Sequence, residues 1–149
     1  MKIKLMLSKS EKEQFMSDFE KGKIEFGEDG NYLLIQKHTL RDSLILENKE
    51  GEKINVAFDE IYFFESNYQS ILAHTKEGTC YVKEKMHVLE AMLYEYRFLR
   101  IHHSYIVNLK KIKRIRPSLN MKFVLFLEDG SSISVSRTYY YRFKEEMGF

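Results

Sequence analysis

The sequence predicts a mainly β domain, α+β overall, built of short strands with one helix in its middle and one at its end. A small α/β N-terminal unit precedes it. Three observations lead there. From about Ser43 onward, apolar and polar residues alternate in short runs separated by turn-forming clusters. Only one segment of that region spaces its apolar residues at three and four positions: Met86, Leu89, Leu93 and Tyr96. One proline (Pro117) and seven glycines leave little room for a flexible linker.

Each element follows from local chemistry. The first unit, residues 1–43, reads as a strand (Lys2 to Leu7), a helix, then two strands. Ser8 or Ser10 would cap the helix, with Phe15, Phe19 and Met16 as its buried stripe. Gly27 to Asn31 supplies a tight reversal between Lys23–Phe26 and Tyr32–Gln36. Eight basic and eight acidic residues balance this unit, which marks it as structural. In residues 44–149, Ser43–Glu47 and Lys53–Ala57 flank the turn Asn48–Glu52. Glu60–Ser66 and Ile71–Thr75 surround a polar loop, Asn67–Ser70, and Lys76-Glu77-Gly78 turns into Thr79–Lys83. A helix spans about Lys85 to Tyr96. Strands follow near Ser104–Asn108, Lys122–Leu127 and Ser131–Ser136, the last two joined by Glu128-Asp129-Gly130. A short helix over Tyr139 to Glu146 closes the chain.

Composition narrows the function classes. With 149 residues, 44% hydrophobic, the chain is one ordinary domain with a small extension, able to bury its core without disulfide or metal. The one cysteine, Cys80, sits in an alternating strand as a packed small apolar residue, and a reduced, cytosolic protein is the inference. No segment approaches a signal peptide or membrane span. Catalysis finds no constellation: Cys80 lacks a partner base, His102-His103 has no metal-ligand spacing around it, and no glycine-rich phosphate loop exists. The expectation is a non-enzyme with no cofactor and no metal.

Charge is the informative feature. The chain carries a net charge of only +2, yet between Glu95 and Glu128 eight Lys or Arg occur with no carboxylate. A concentrated cationic zone beside donor-rich side chains fits a nucleic-acid surface. The run Lys110–Arg116 equally fits an amphipathic edge strand guarded by charge, because Ile112 and Ile115 interrupt it. Three polar segments sit at strand ends, where a sheet presents side chains: Asn67–Ser70, Ile101–Ser104 and Ser136–Tyr139. Arg137 has the planar fork suited to guanine, while Asn67, Gln69 and His103 offer mixed donors and acceptors. Lysines and the other arginines would act on phosphates. A second reading is an interaction or ligand-sensing module without DNA, using Tyr139–Tyr141 and Phe143 as an interface. An RNA-binding reading is weaker, since no aromatic platform motif appears.

In order and spacing, FFES at Phe63–Ser66, R-x-H-x-S-Y-I-V-N at Arg100–Asn108, K-x-I-x-x-I at Lys110–Ile115 and L-x-D-G…I-x-V-S-R at Leu127–Arg137 resemble the LytTR DNA-binding domain. The match covers roughly residues 45 to 147. It implies an elongated β-sandwich from a bacterial transcription regulator, with loops entering successive major grooves of double-stranded DNA. It also implies paired direct repeats in promoters, bound by a homodimer. By position, base contacts would come from Asn67, Gln69, Ser70, His103 and Arg137. Phosphate contacts would come from Tyr68, Arg100, His102, Ser104, Lys110, Lys111, Lys113, Arg114, Ser136, Thr138 and Tyr139. His103 stands where many members have Asn or Arg, which changes base preference rather than hydrogen-bonding role. His102 has a further reading, as a residue that orients its own loop through backbone. The short first unit lacks the size and acidic pocket of a receiver domain and resembles the start of a small α/β module. The tail LNMKFVLFLEDG…SRTYYYRFKEEMGF resembles that of stand-alone members with short N-terminal extensions. Dimerisation or regulation would be the first unit's task.

Overall fold

A computed structural model describes residues 9–23 and 42–149. The strands expected at Lys2–Leu7, Lys23–Phe26 and Tyr32–Gln36 concern residues outside that range, apart from Lys23. The chain divides into two compact units, Met1–Ile35 and Gln36–Phe149. In the first, helix α1 spans Lys9–Glu20. Ser10 lies inside this helix rather than at its cap, and the expected apolar stripe is not buried. Met16 is 42% and Phe19 59% exposed, because three apolar residues among twelve make too narrow a face.

The described residues of the second unit hold ten strands in two antiparallel sheets. The seven-stranded sheet contains β1 (Ser43–Glu47), β2 (Lys53–Ala57), β3 (Ile61–Ser66), β4 (Ile71–Thr75), β5 (Gly78–Val82), β6 (Phe98–His102) and β7 (Tyr105–Asn108), in the order β2-β1-β5-β4-β3-β7-β6. The three-stranded sheet contains β8 (Ile112–Ser118), β9 (Lys122–Leu127) and β10 (Ser132–Val135), with β9 in the centre. Helix α2 (Met86–Leu93) joins β5 to β6, and α3 (Tyr140–Met147) ends the chain. This is the mainly β sandwich that the sequence predicts. One strand was not anticipated. β6 follows a tight break at Arg97, whose φ of 70 puts it in the left-handed region, and FLRIH then pairs with β7 as a hairpin.

Alternation assigns each side chain to one of two cores. Leu44, Leu46, Val56, Phe64, Cys80 and Ile106 face α2, which contributes Met86, Leu89 and Leu93. Phe63, Leu99 and Val107 point to the other side of the same sheet. There they meet Phe123, Leu125, Leu127, Ile133 and Val135 of the second sheet and Phe143 of α3. Cys80 is buried, and that burial pushes its thiol pKa up, as expected of an inert packing residue. Thr75 is one buried polar residue among those described, and Asn108 is the other. Its amide donates to the carbonyls of Phe58 and Ile61 at 3.2 and 2.9 Å, and its side-chain oxygen accepts from Lys110 N at 3.1 Å.

The aromatic C-terminus belongs to the second core. Tyr140 stacks on Phe123 with ring centroids 4.8 Å apart, and Phe143 is fully buried, so neither is spare for an interface. Tyr141 faces outward. Among the described residues no helix is long and apolar enough to cross a membrane, and no group of three metal-ligating side chains occurs.

Candidate nucleic-acid interface

Three reversals far apart in sequence meet at one end of the sheets. The β3–β4 loop comes first. Here Asn67 Oδ1 accepts from the amides of Gln69 (3.1 Å) and Ser70 (2.8 Å) and from Ser70 Oγ (3.1 Å), while Asn67 N donates to Ser70 O at 3.0 Å. The Asn67 carbonyl is thus spent inside the turn, as the side chains of Asn residues in turns commonly are. Tyr68 projects fully into solvent, and Gln69 is exposed beside it.

The β6–β7 turn stands beside it. β3 pairs with β7 through Glu65 and Tyr105, and Ser66 N donates to Ser104 O at 2.8 Å, so the two reversals share one backbone bond. Within this turn Ser104 N donates to His102 Nδ1 at 3.1 Å. The His102 ring lies 4.0 Å from that of His103 and 5.4 Å from that of Tyr105. Burial lowers the His102 pKa below its ordinary value, helped by His103, Lys122 and Arg100 nearby. His102 therefore orients its loop through backbone, while His103 remains exposed.

The third segment is tied to the same hairpin. A bulge in β6 shifts the register between Arg100 and His102 and sets Ile101 apart from the ladder to β7. The Ile101 carbonyl accepts from Ser136 N at 2.9 Å, directly after β10. Ser136 then starts a turn, with Tyr139 N donating to Ser136 O at 3.0 Å, and Arg137 and Thr138 are exposed on it. Ser136 and Tyr139 are half-buried.

The expected phosphate contacts separate into groups. Arg100 turns inward: its side chain is 18% exposed, and it donates to the carbonyls of His103 (2.6 Å) and His102 (3.4 Å) and to Glu90 (3.2 Å). Lys110 and Lys111 follow the far end of β7, the opposite end from the His102–Ser104 turn. They face Asp59 at 3.8 Å and Glu128 at 3.4 Å. Lys113 lies at that same far end, since Ile112 pairs with Leu127. Arg114 and Arg116 stand on the outer face of the second sheet. Both guanidinium groups stack over Phe126, at 4.1 and 5.3 Å from its ring centroid, and neither has a carboxylate partner among the described residues. The cationic run thus starts at the end opposite the loops and returns along β8 toward them, with Arg116 pairing with Val124 one strand removed from β10. It is an edge strand, as its alternation allows.

Other cations, not singled out in the sequence, flank the loops. β9 begins beside the third loop, because Phe123 pairs with Val135, and Lys122 is near enough to act on His102. On the opposite side, Val82 pairs with Ile71, so the exposed Lys83 and Lys85 border a shallow groove shared with Ser66, Asn67, Gln69 and Ser70. Glu84 is the acidic member of that border. The signal for these lysines is strand register, which isolated residues in a sequence do not display. Geometrically the rim offers exposed tips carrying Tyr68, Gln69, His103, Arg137 and Thr138, with positive charge on both flanks.

Comparison with known proteins agrees in family. The sequence profile of the LytTr DNA-binding domain matches residues 51–148. The chain is 40% identical over 78 residues to the sensory transduction protein LytT of Bacillus subtilis, covering 46% of this chain and 32% of that protein. It is 24% identical over 143 residues to LytT of Enterococcus faecalis, covering 96% of this chain and 59% of that protein. With the transcriptional regulatory protein LytR of Staphylococcus aureus it shares 32% identity over 75 residues, 50% of this chain and 30% of that protein. A solved LytTr DNA-binding domain from Bacillus cereus superposes with a TM-score of 0.69 at 28% identity. It covers 73% of this chain and 99% of that one. The chain spans less than two thirds of the length of these curated relatives.

Proposed function

Because this chain belongs to the LytTr DNA-binding domain family, we propose that it regulates transcription by binding double-stranded DNA in a sequence-specific way, its three loops entering the major groove. One observation carries the reading. The Ser66–Ser104 and Ser136–Ile101 backbone bonds gather three distant reversals into one rim. Arg137, His103 and Gln69 supply donors and acceptors for base edges, and the side-chain Nδ2 of Asn67 stands beside them. Lys83, Lys85 and Lys122 face the backbone close to the loops, with Arg114 and Arg116 further along the second sheet. Tyr68, His102, Ser104, Ser136, Thr138 and Tyr139 complete the rim at shorter reach. A homodimer on paired direct repeats, a cytoplasmic location and a dimerising or regulatory task for residues 1–43 belong to the same proposal.

The test is selection from a randomised duplex pool, followed by titration of the selected and unselected duplexes at two salt concentrations. The proposal expects one enriched sequence, bound more tightly than the pool at both concentrations, with affinity falling as salt rises. Equal affinity for selected and unselected duplexes would remove the sequence-reading role.

A further inference from the structure

Outside the loops, one carboxylate holds an unusual place. Glu90 lies on α2, and its side chain is 24% exposed. Its Oε2 receives Arg100 Nη1 at 3.2 Å, and its Oε1 receives Arg142 Nη1 at 2.8 Å. Arg100 continues to the carbonyls of His103 and His102, at 2.6 and 3.4 Å, which form the second reading turn. Arg142 belongs to α3, which begins immediately after the third loop, and its guanidinium also lies 5.8 Å from the Tyr94 ring centroid. Tyr94 donates in turn to Glu146 of α3, and its phenol pKa is pushed up to about 12 by burial first and that carboxylate second. A single carboxylate therefore ties one arginine that grips the His102–His103 backbone to another that fixes the helix behind Arg137.

We propose that Glu90 is the positioning residue for DNA reading: through Arg100 and Arg142 it holds the His102–Ser104 turn and the Ser136–Tyr139 segment in one relative geometry. The inference rests on the loop-reading function proposed above and adds what fixes the loops. Arg100 and Arg142 need a partner here for a physical reason. Their side chains are 18% and 37% exposed, and a partly buried guanidinium without an anion loses solvation uncompensated. Charge-assisted bonds of this kind also fix direction, because the planar fork leaves few alternative geometries.

Electrostatics gives this proposal an opposing expectation to beat. Removing an acidic side chain from a DNA-binding surface should tighten binding to every duplex by lowering repulsion. A positioning role demands otherwise. For Glu90→Gln and Glu90→Ala, binding to random duplex should stay level or rise. Binding to the duplex selected by the unmodified protein should fall by about tenfold or more, the size of a lost charge-assisted bond. Thermal unfolding of both variants, run beside these titrations, checks that the fold persists.

A readout without DNA separates this inference from the function on which it rests. Amide nitrogen–proton spectra of Glu90→Gln should show shifts or loss of exchange protection at His103 and Ser104 and also at Arg137 to Tyr139. Shifts confined to α2, or selected and random duplexes tightening together, would overturn the positioning role. If the unmodified protein selects no sequence, the reading function fails, and the amide spectra still decide whether Glu90 holds both segments.

Discussion

In the proposed reading of DNA, Arg137 contributes one exposed guanidinium on the turn after β10. Replacing it with alanine should cost about 1–3 kcal/mol on the selected duplex and relax preference at one base pair, measured against single-substituted duplexes. Equal weakening on random DNA would assign it to phosphate instead. His102 sets a pH dependence whose sign is determined. Its Nδ1 accepts the Ser104 amide, so the turn requires the neutral ring, and burial lowers its folded pKa below the ordinary 6.5. Stability from this contact is present above pH 6.5 and is lost as pH falls through the lowered folded value. Titration monitored at the Ser104 amide should show the turn loosening on acidification, and His102→Asn, which carries no titrating ring, should abolish that response. Asn108 carries a stability prediction. Asn108→Ala leaves two buried carbonyls and one amide without their partner, and should lower unfolding stability by about 1–3 kcal/mol in chemical denaturation.

Strands and turns decide which charges act together. Lys110 and Lys111 precede Arg114 by only a few residues, yet β7 carries them to the end of the sheet opposite the loops. Substituting Arg116 or Lys122 should therefore reduce the salt slope of binding by about one unit each, and substituting Lys110 by less, because Asp59 already faces it. Titrations across a salt series distinguish the two. This element also shows where sequence reading succeeded and where it stopped. The hairpins around Asn48–Glu52 and Glu128–Gly130 and the α2 face of Met86, Leu89 and Leu93 were legible, because turn chemistry and periodicity are local. β6 was not. Its FLRIH pattern has apolar residues on both faces, one toward each core, so alternation is lost. The inward turn of Arg100 was equally hidden, since its partner Glu90 lies on a different element.

Across the whole second unit, two cores back the one rim. Phe143 of α3 shares a core with Phe123, Leu125 and Val135, the last of which directly precedes the third loop. Phe143→Ala should cost about 3–5 kcal/mol in thermal or chemical unfolding, and should loosen the Arg137 segment before the first two loops. The loops themselves were identifiable from sequence as polar clusters at strand ends, and their convergence on one rim was expected; the bonds that produce it were not legible, because they depend on non-local register between β3, β7, β6 and β10. The most direct test of that convergence is amide shift mapping of the labelled protein on addition of the duplex it selects. The account predicts perturbations concentrated at residues 67–70, 102–104 and 136–139, flanked by Lys83, Lys85 and Lys122. Perturbations centred on the β1–β2 hairpin or on α1, with all three loops unmoved, would contradict it.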